Sequence, residues 1–218
     1  HLGLARHLEV VGVPGDGAIV TADGRQTIAG RMWDYPSNTV FTRTLSLEKE
    51  RGKPATARRI ETQLLHFDGQ AWNGYTFRWN MAQTDAELVP ASGTNDIFTM
   101  MDASAPGGRR EIPWRFLGRT ECLRCHQCWA SDTLSFNWLQ LGGRGGDRTE
   151  HPEHGNVAAP KPATEMDRLA ALGVLRVKDP PNPRDQQHLA DPYDASQPLA
   201  DRARSWLHVN CAGCHRFN

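Results

Sequence analysis

The sequence Arg59-Ile-Glu-Thr-Gln-Leu-Leu-His-Phe67 is followed by Asp68-Gly69 and then by Ala71-Trp-Asn-Gly-Tyr-Thr-Phe-Arg-Trp79. Both long runs are rich in β-branched, aromatic and other apolar residues and partly alternate in polarity, which predicts two strands. An Asp-Gly pair between two such runs is a strong signal for a hairpin turn. Residues 59–79 therefore predict a β-hairpin.

The remainder of the first half has the same character. The run Thr39–Leu47 predicts another strand, and shorter strands are predicted at 18–21, 27–33, 86–89, 96–100 and 112–116. Several short strands separated by frequent turn signals are typical of a β-sandwich or a small barrel. We therefore predict a β-rich, sandwich or barrel-like module over residues 1–116.

The pattern changes at about residue 117, after which helices and loops are predicted. Thr120 is a candidate cap for a short helix, and residues 142–163 hold five Gly and three Pro, which favours a long surface loop. Thr164 begins a capping-box pattern whose helix Gly173 can end. The fold class predicted is thus α+β, with a mostly helical, loop-rich region over residues 117–218.

The last predicted helix has an apolar stripe at helical spacing. Ser196 is its candidate cap, and its predicted buried face consists of Leu199, Ala203, Trp206 and Leu207.

The charges of the chain balance, with 25 Lys+Arg against 25 Asp+Glu. Nucleic-acid-binding proteins usually carry a basic excess, so no nucleic-acid partner is predicted. No run approaches the roughly 18 apolar residues of a membrane helix, so no membrane span is predicted. No signal peptide opens the chain, and an exported protein would therefore be seen here as a mature chain or an interior fragment.

Four of the five cysteines form two copies of one motif. These copies are Cys122-Leu-Arg-Cys125-His126 and Cys211-Ala-Gly-Cys214-His215. Cys-x-x-Cys-His is the attachment motif of c-type haem. Two thiols at this spacing reach the two vinyl groups of one haem edge, and the following His ligates the iron. We therefore predict two covalent haem c groups, held by Cys122, Cys125, Cys211 and Cys214 with His126 and His215 as metal ligands.

The cysteine pattern has three other interpretations. A thioredoxin-like pair needs no following His, and a four-Cys zinc site usually has its pairs closer together than these two. A structural disulfide is the third alternative. The fifth cysteine, Cys128, is interpreted as a free thiol, with an extra ligand or an intermolecular disulfide as its alternatives.

The sixth iron ligands are less well defined by the sequence. A low-spin carrier needs a second axial ligand, usually Met or His. Only three residues follow His215, so a downstream ligand for that iron is not part of this sequence. The ligand would come from an upstream residue, from another subunit, or from residues beyond the end of a fragment. His1 is a candidate donor from another subunit. The further candidate metal ligands in the sequence are His208, His151, His154 and Met166.

The sequence resembles a family of bacterial dihaem c-type cytochromes that occurs in planctomycetes and marine proteobacteria. Some members of this family are joined to glucose/sorbosone dehydrogenase-like propellers. The resemblance rests on 59–67, Trp72-Asn-Gly-Tyr75, Arg78-Trp-Asn80, 83–89, 121–126 and 202–215. It implies a β-rich module followed by two c-type haem sites, with electron transfer as the role. Such proteins usually continue past the second motif, and Cys128 is not one of their features.

Three functions are compatible with these motifs. The preferred one is a non-enzymatic electron carrier between redox partners, a dehydrogenase and a terminal acceptor. The second is a subunit that self-associates into a cytochrome filament with haem ligands shared between subunits, and the third is a dihaem peroxidase-like enzyme with one open haem. Because haem c is attached outside the cytoplasm, the predicted location is the periplasm or the extracellular space.

Overall fold

The computed structural model describes residues 5–21, 33–127, 132–134, 138–141, 164–178 and 189–211. The chain divides into two compact units, the first containing 1–14 and 37–124 and the second containing 15–36 and 125–218. This division differs from the one predicted at residue 116. Residues 15–36 join the C-terminal unit because their strand pairs there.

In chain order the described strands are β1 (Ala5–Gly12), β2 (Ile19–Val20), β3 (Val40–Glu48), β4 (Ala57–Phe67), β5 (Trp72–Trp79), β6 (Ala86–Leu88), β7 (Thr94–Met101), β8 (Arg109–Phe116) and β9 (Leu175–Arg176); the helices are α1 (Arg119–Cys122), α2 (Trp138–Leu141), α3 (Glu165–Ala171) and α4 (Leu199–Cys211). The prediction of a β-rich N-terminal half is confirmed. Strand β1 was not predicted, and most of the predicted strand 27–33 falls outside the described residues.

The first unit is built on an antiparallel five-stranded sheet with the order β1-β3-β4-β5-β6. The predicted hairpin is its centre, and Phe67 of β4 pairs with Trp72 of β5. In the turn, Gly69 has a φ of 101°, which a residue without Cβ adopts most easily. The Asp68 carboxylate accepts the backbone N–H groups of Gln70 and Ala71, each at 2.8 Å. The Asp-Gly signal therefore predicted the turn correctly.

The core of the first unit lies between this sheet and the β7–β8 hairpin. Its members come from both layers and are almost fully buried: Leu45, Leu47, Ile60, Val89, Met100, Ile112, Trp114 and Phe116. Burying a large apolar side chain stabilises a fold by roughly 1.5–3 kcal/mol. This two-layer packing holds β8, and with it the start of α1, in a fixed place.

The second unit contains the parallel β2–β9 pair, with α3 packed against β9. The buried apolar residues in the described part of this unit are Ile19, Trp33, Met166, Leu169 and Leu175. As predicted, Thr164 caps α3 by accepting the backbone N–H of Asp167 at 3.1 Å, and Gly173 follows the helix with a φ of 74°.

Three predictions about helices are wrong. The N-cap of α1 is Gly118 rather than Thr120, because the Glu121 carboxylate accepts the Gly118 N–H at 2.8 Å. In α4 the buried residue is Ser205, whereas Leu199, Trp206 and Leu207 are 75%, 49% and 53% exposed. Ser196 does not cap this helix but closes a turn onto Asp194. None of the described helices has the length and apolar content that crossing a bilayer requires.

Candidate functional site

The first cysteine motif begins in α1, which is fixed to the first unit. The Glu121 carboxylate accepts a hydrogen bond from Arg115 of β8 at 2.7 Å as well as the Gly118 N–H. These contacts lower the pKa of Glu121, the Arg115 hydrogen bond most of all. Cys122, the last residue of α1, therefore stands on a helix whose start is tied to strand β8.

Cys122 lies against the face of β5. A Cβ atom added to Gly74 would be 2.7 Å from the Cys122 Cβ and 3.4 Å from its Sγ. Because atoms that close would collide, only glycine at position 74 lets the cysteine approach the sheet as it does. The Cys122 side chain is half-buried, and its thiol is free.

Burial raises the pKa of the Cys122 thiol. The nearby Thr76 hydroxyl opposes this rise, and the carboxylates of Glu61 and Glu121 add to it. The buried Thr76 hydroxyl itself makes no hydrogen bond within the part of the chain that the structure describes. The raised pKa keeps the Cys122 thiol protonated at neutral pH.

Aromatic residues surround Gly74 on the same side of the sheet. Register and period-two alternation place Phe41, Phe67 and Trp72 on the face that carries Gly74. Trp72 contacts Phe67 with ring centroids 5.1 Å apart and Phe41 at 5.7 Å. Cys122 therefore lies on a sheet face with a substantial apolar surface.

The motif passes from the first unit to the second after Arg124, so its other half is described by itself. The Cys125 side chain is exposed. The Cys125 carbonyl accepts the Gln127 N–H at 3.1 Å, and the Gln127 carbonyl accepts the Asp132 N–H at 3.0 Å. This chain of backbone hydrogen bonds folds residues 125–127 back toward the turn that begins at Asp132.

The His126 ring is oriented by that turn. Its Nδ1 is 2.5 Å from the backbone carbonyl oxygen of Asp132. A carbonyl can only accept, so Nδ1 carries the hydrogen and Nε2 keeps its lone pair. Burial lowers the pKa of His126, while the hydrogen bond and the charge of Asp132 oppose this. The half-buried ring is thus a neutral imidazole whose Nε2 keeps its lone pair.

These observations fit the chemistry of c-type haem attachment. The Cys122 thiol is free, and the following histidine has the tautomer that ligates iron through Nε2.

The second motif is described only in part. Cys211 ends α4 with a half-buried, free thiol, whereas Cys214 and His215 lie outside the described residues, as do Cys128, His151 and His154. His208 is half-buried, and its Nε2 is buried. Met166 is 5% exposed on α3, among the core residues of the second unit.

Sequence reasoning did not find four residues that shape the site: Gly74, Asp132, Thr133 and Tyr35. The Tyr35 hydroxyl is 3.0 Å from the Thr133 hydroxyl, across 98 positions of the chain. No local pattern marks a contact at such separation. Gly74 does lie in a predicted strand, and a glycine there is a known signal of close backbone approach.

No family model, curated protein or solved structure matches this chain.

Proposed function

We propose that the chain is an extracytoplasmic dihaem c-type cytochrome that carries electrons, akin to the dihaem cytochrome family that it resembles. Cys122 and Cys125 would hold one haem through thioether bonds, with His126 on the iron. Cys211, Cys214 and His215 would do the same for the second haem. The region after residue 116 is accordingly proposed as a helical, loop-rich haem region.

The observation that carries the proposal is the state of His126 within its motif. A Cys-x-x-Cys-His sequence alone predicts the ligand, but the ring must also present a lone pair. The hydrogen bond from Nδ1 to the Asp132 carbonyl selects the required tautomer and fixes the ring plane. A zinc site built from Cys pairs would not need this arrangement of the histidine.

Each group of the first motif has a defined task under this proposal. Cys122 would anchor one haem edge from its position over Gly74, and the exposed Cys125 would form the second thioether. His126 would donate its Nε2 electron pair to the iron, and the hydrogen bond to the Asp132 carbonyl would increase the basicity of the imidazole. When bound, haem supplies a reversible Fe(III)/Fe(II) couple.

The proposed location follows from the chemistry of attachment. Thioether formation to haem takes place outside the cytoplasm, so the periplasm or the extracellular space is proposed. The proposed partners are redox proteins, a dehydrogenase as donor and a terminal acceptor.

The test is an optical spectrum of protein made in a host that attaches haem c. Covalent haem with low-spin bands in both oxidation states supports the carrier. A high-spin oxidised spectrum together with peroxidase activity would favour the peroxidase-like alternative. Haem that is fully removed by acid–acetone extraction would contradict covalent attachment.

The matched controls are two double variants, Cys122→Ser/Cys125→Ser and Cys211→Ser/Cys214→Ser. Each should retain one haem of the two. If either double variant kept the full haem content, the assignment of that motif would be wrong.

A further inference from the structure

The turn that orients His126 is strained and buried. Asp132 and Leu134 have φ values of 33° and 53°, in the left-handed region that residues with a Cβ seldom adopt. Such conformations cost of order 1–3 kcal/mol each and persist only where the surroundings impose them. Asp132 and Thr133 are 7% and 8% exposed. Some contact must therefore hold this turn in place.

Tyr35 supplies such a contact. Its hydroxyl is 3.0 Å from the Thr133 hydroxyl, and either oxygen can be the donor. Burial raises the pKa of Tyr35 well above its ordinary value, so the phenol remains protonated at every physiological pH. Ionisation of the phenol therefore does not break this contact in the physiological pH range.

The backbone beside Tyr35 is itself rigid. Its neighbour Asp34 exchanges two backbone hydrogen bonds with Val20 of β2, at 2.9 and 2.8 Å. Strand β2 is paired with β9, and Trp33 is buried at 7% exposure. Tyr35 thus extends from the packed core of the second unit toward the turn of the same unit.

We propose that Tyr35 is a positioning residue for the iron ligand His126, acting through Thr133 and the Asp132 carbonyl. The inference rests on the proposed function, because it presumes that His126 binds iron. The Tyr35 hydroxyl holds Thr133 in place, and Thr133 keeps the Asp132 carbonyl directed at Nδ1–H of the His126 imidazole. Tyr35 acts on the iron ligand through Thr133 in this scheme, so its role is indirect.

The consequence of this chain of contacts is electronic. A strong hydrogen bond from Nδ1–H gives the imidazole partial imidazolate character, which stabilises Fe(III) relative to Fe(II) and lowers the reduction potential. Loosening the turn weakens that hydrogen bond. Loss of the Tyr35 hydroxyl should therefore raise the potential of one haem and leave the other unchanged.

The experiment compares the haem-loaded full chain with its Tyr35→Phe variant in a potentiometric titration resolved into two components. The expected result is an upward shift of one component only. Exchange of the His126 Nδ1 hydrogen with solvent, followed by NMR in the reduced protein, should become several-fold faster. Tyr193→Phe is the matched control, because Tyr193 is 86% exposed, and it should change neither quantity.

Two substitutions at Thr133 separate positioning from general loss of packing. Thr133→Val removes the hydroxyl and should reproduce the effect of Tyr35→Phe, whereas Thr133→Ser keeps the hydroxyl and should behave as the wild type. Unchanged potentials and exchange in both Tyr35→Phe and Thr133→Val would overturn this inference while leaving the proposed function intact. A wild-type protein without covalent haem would instead overturn the proposed function, and this inference with it.

Discussion

The Cβ atom of Cys122 lies so close to Gly74 that a methyl group on Gly74 would stand 2.7 Å from it. The relationship joins the first cysteine of the first motif to the central hairpin of the sheet. It also makes the position of the thiol depend on a residue 48 positions earlier in the chain, as the two residue numbers show.

Gly74→Ala should therefore displace Cys122. Crowding of this kind typically costs about 1–3 kcal/mol, and we expect a loss of stability of that size together with a lower yield of haem at the first motif. Urea unfolding and haem quantification measure the two effects. Gly12→Ala is the control, because a Cβ atom added to Gly12 would be 4.0 Å from the Val40 carbonyl oxygen, an ordinary van der Waals distance. Wild-type haem content and stability in Gly74→Ala would show that the close approach is unimportant.

The buried carboxyl group of Glu61 should make the stability of the fold depend on pH. Its carboxylate is 1% exposed and accepts hydrogen bonds from Trp114 at 2.7 Å and Gln63 at 2.8 Å. Burial raises its pKa, and these hydrogen bonds only partly oppose that effect. Between the unfolded value of about 4.3 and the raised folded value, the folded state binds more protons. The free energy of unfolding should therefore fall as pH rises through this window.

Glu61→Gln should remove this slope, because glutamine does not titrate. Urea unfolding at a series of pH values from 4 to 8 provides the measurement, and Glu87→Gln, on an exposed position of β6, should keep the wild-type slope. An unchanged slope in Glu61→Gln would mean that other groups produce it.

Asp102 should have the opposite effect, so that its contribution to stability is lost as pH falls. Its carboxylate, 2% exposed, accepts hydrogen bonds from Ser104, from Arg110 at 2.9 Å and from Arg51 at 3.1 Å. Its pKa is held far below the ordinary range, chiefly by the Ser104 hydroxyl. The stabilisation is thus complete above the unfolded value of about 3.9 and is lost as pH falls toward the folded value.

Asp102→Asn should lower the urea midpoint at pH 7, and the difference from wild type should shrink as the solution is acidified. Asp96→Asn is a suitable comparison, because Asp96 has a single arginine partner and is 30% exposed. A deficit in Asp102→Asn that stayed constant down to pH 2 would exclude the ionised carboxylate as its cause.

Helix α4 provides a test of the structure against the sequence pattern. Since Trp206 is 49% exposed, Trp206→Ala should change the free energy of unfolding by no more than about 0.5 kcal/mol. Leu175→Ala, at a position 3% exposed, should cost roughly 2–5 kcal/mol. If Trp206→Ala destabilised the protein as much as Leu175→Ala does, the predicted apolar face would be the buried one after all.

The hairpin of β4 and β5 could be predicted because its signals are local. Alternation and the Asp68-Gly69 turn lie within two dozen residues, and the strands formed where the pattern placed them. The same holds for the Thr164 cap of α3. Local hydrogen bonds and period-two packing are properties that neighbouring residues determine by themselves.

The features that could not be predicted depend on distant partners. Residues 15–36 join the second unit through pairing of β2 with β9, more than 150 positions away. The Tyr35–Thr133 contact likewise has no local signature. In α4 a small residue, Ser205, faces inward while larger apolar side chains face solvent, which reverses the usual relation between periodicity and burial.

The candidate site likewise contains features that the sequence predicts and features that depend on distant partners. The two Cys-x-x-Cys-His motifs are readable from the sequence alone, because they are defined by spacing. The groups that position the first motif, Gly74 against Cys122 and Asp132 against His126, are contributed by tertiary structure. Haem attachment at both motifs and the iron ligands opposite His126 and His215 stay predictions.

The measurement that tests the account most directly is the intact mass of the denatured protein after expression in a host that attaches haem c. Two covalently bound haem groups should be added to the polypeptide mass, and each double Cys→Ser variant should carry one. A purified wild-type chain with the mass of the bare polypeptide would contradict the account.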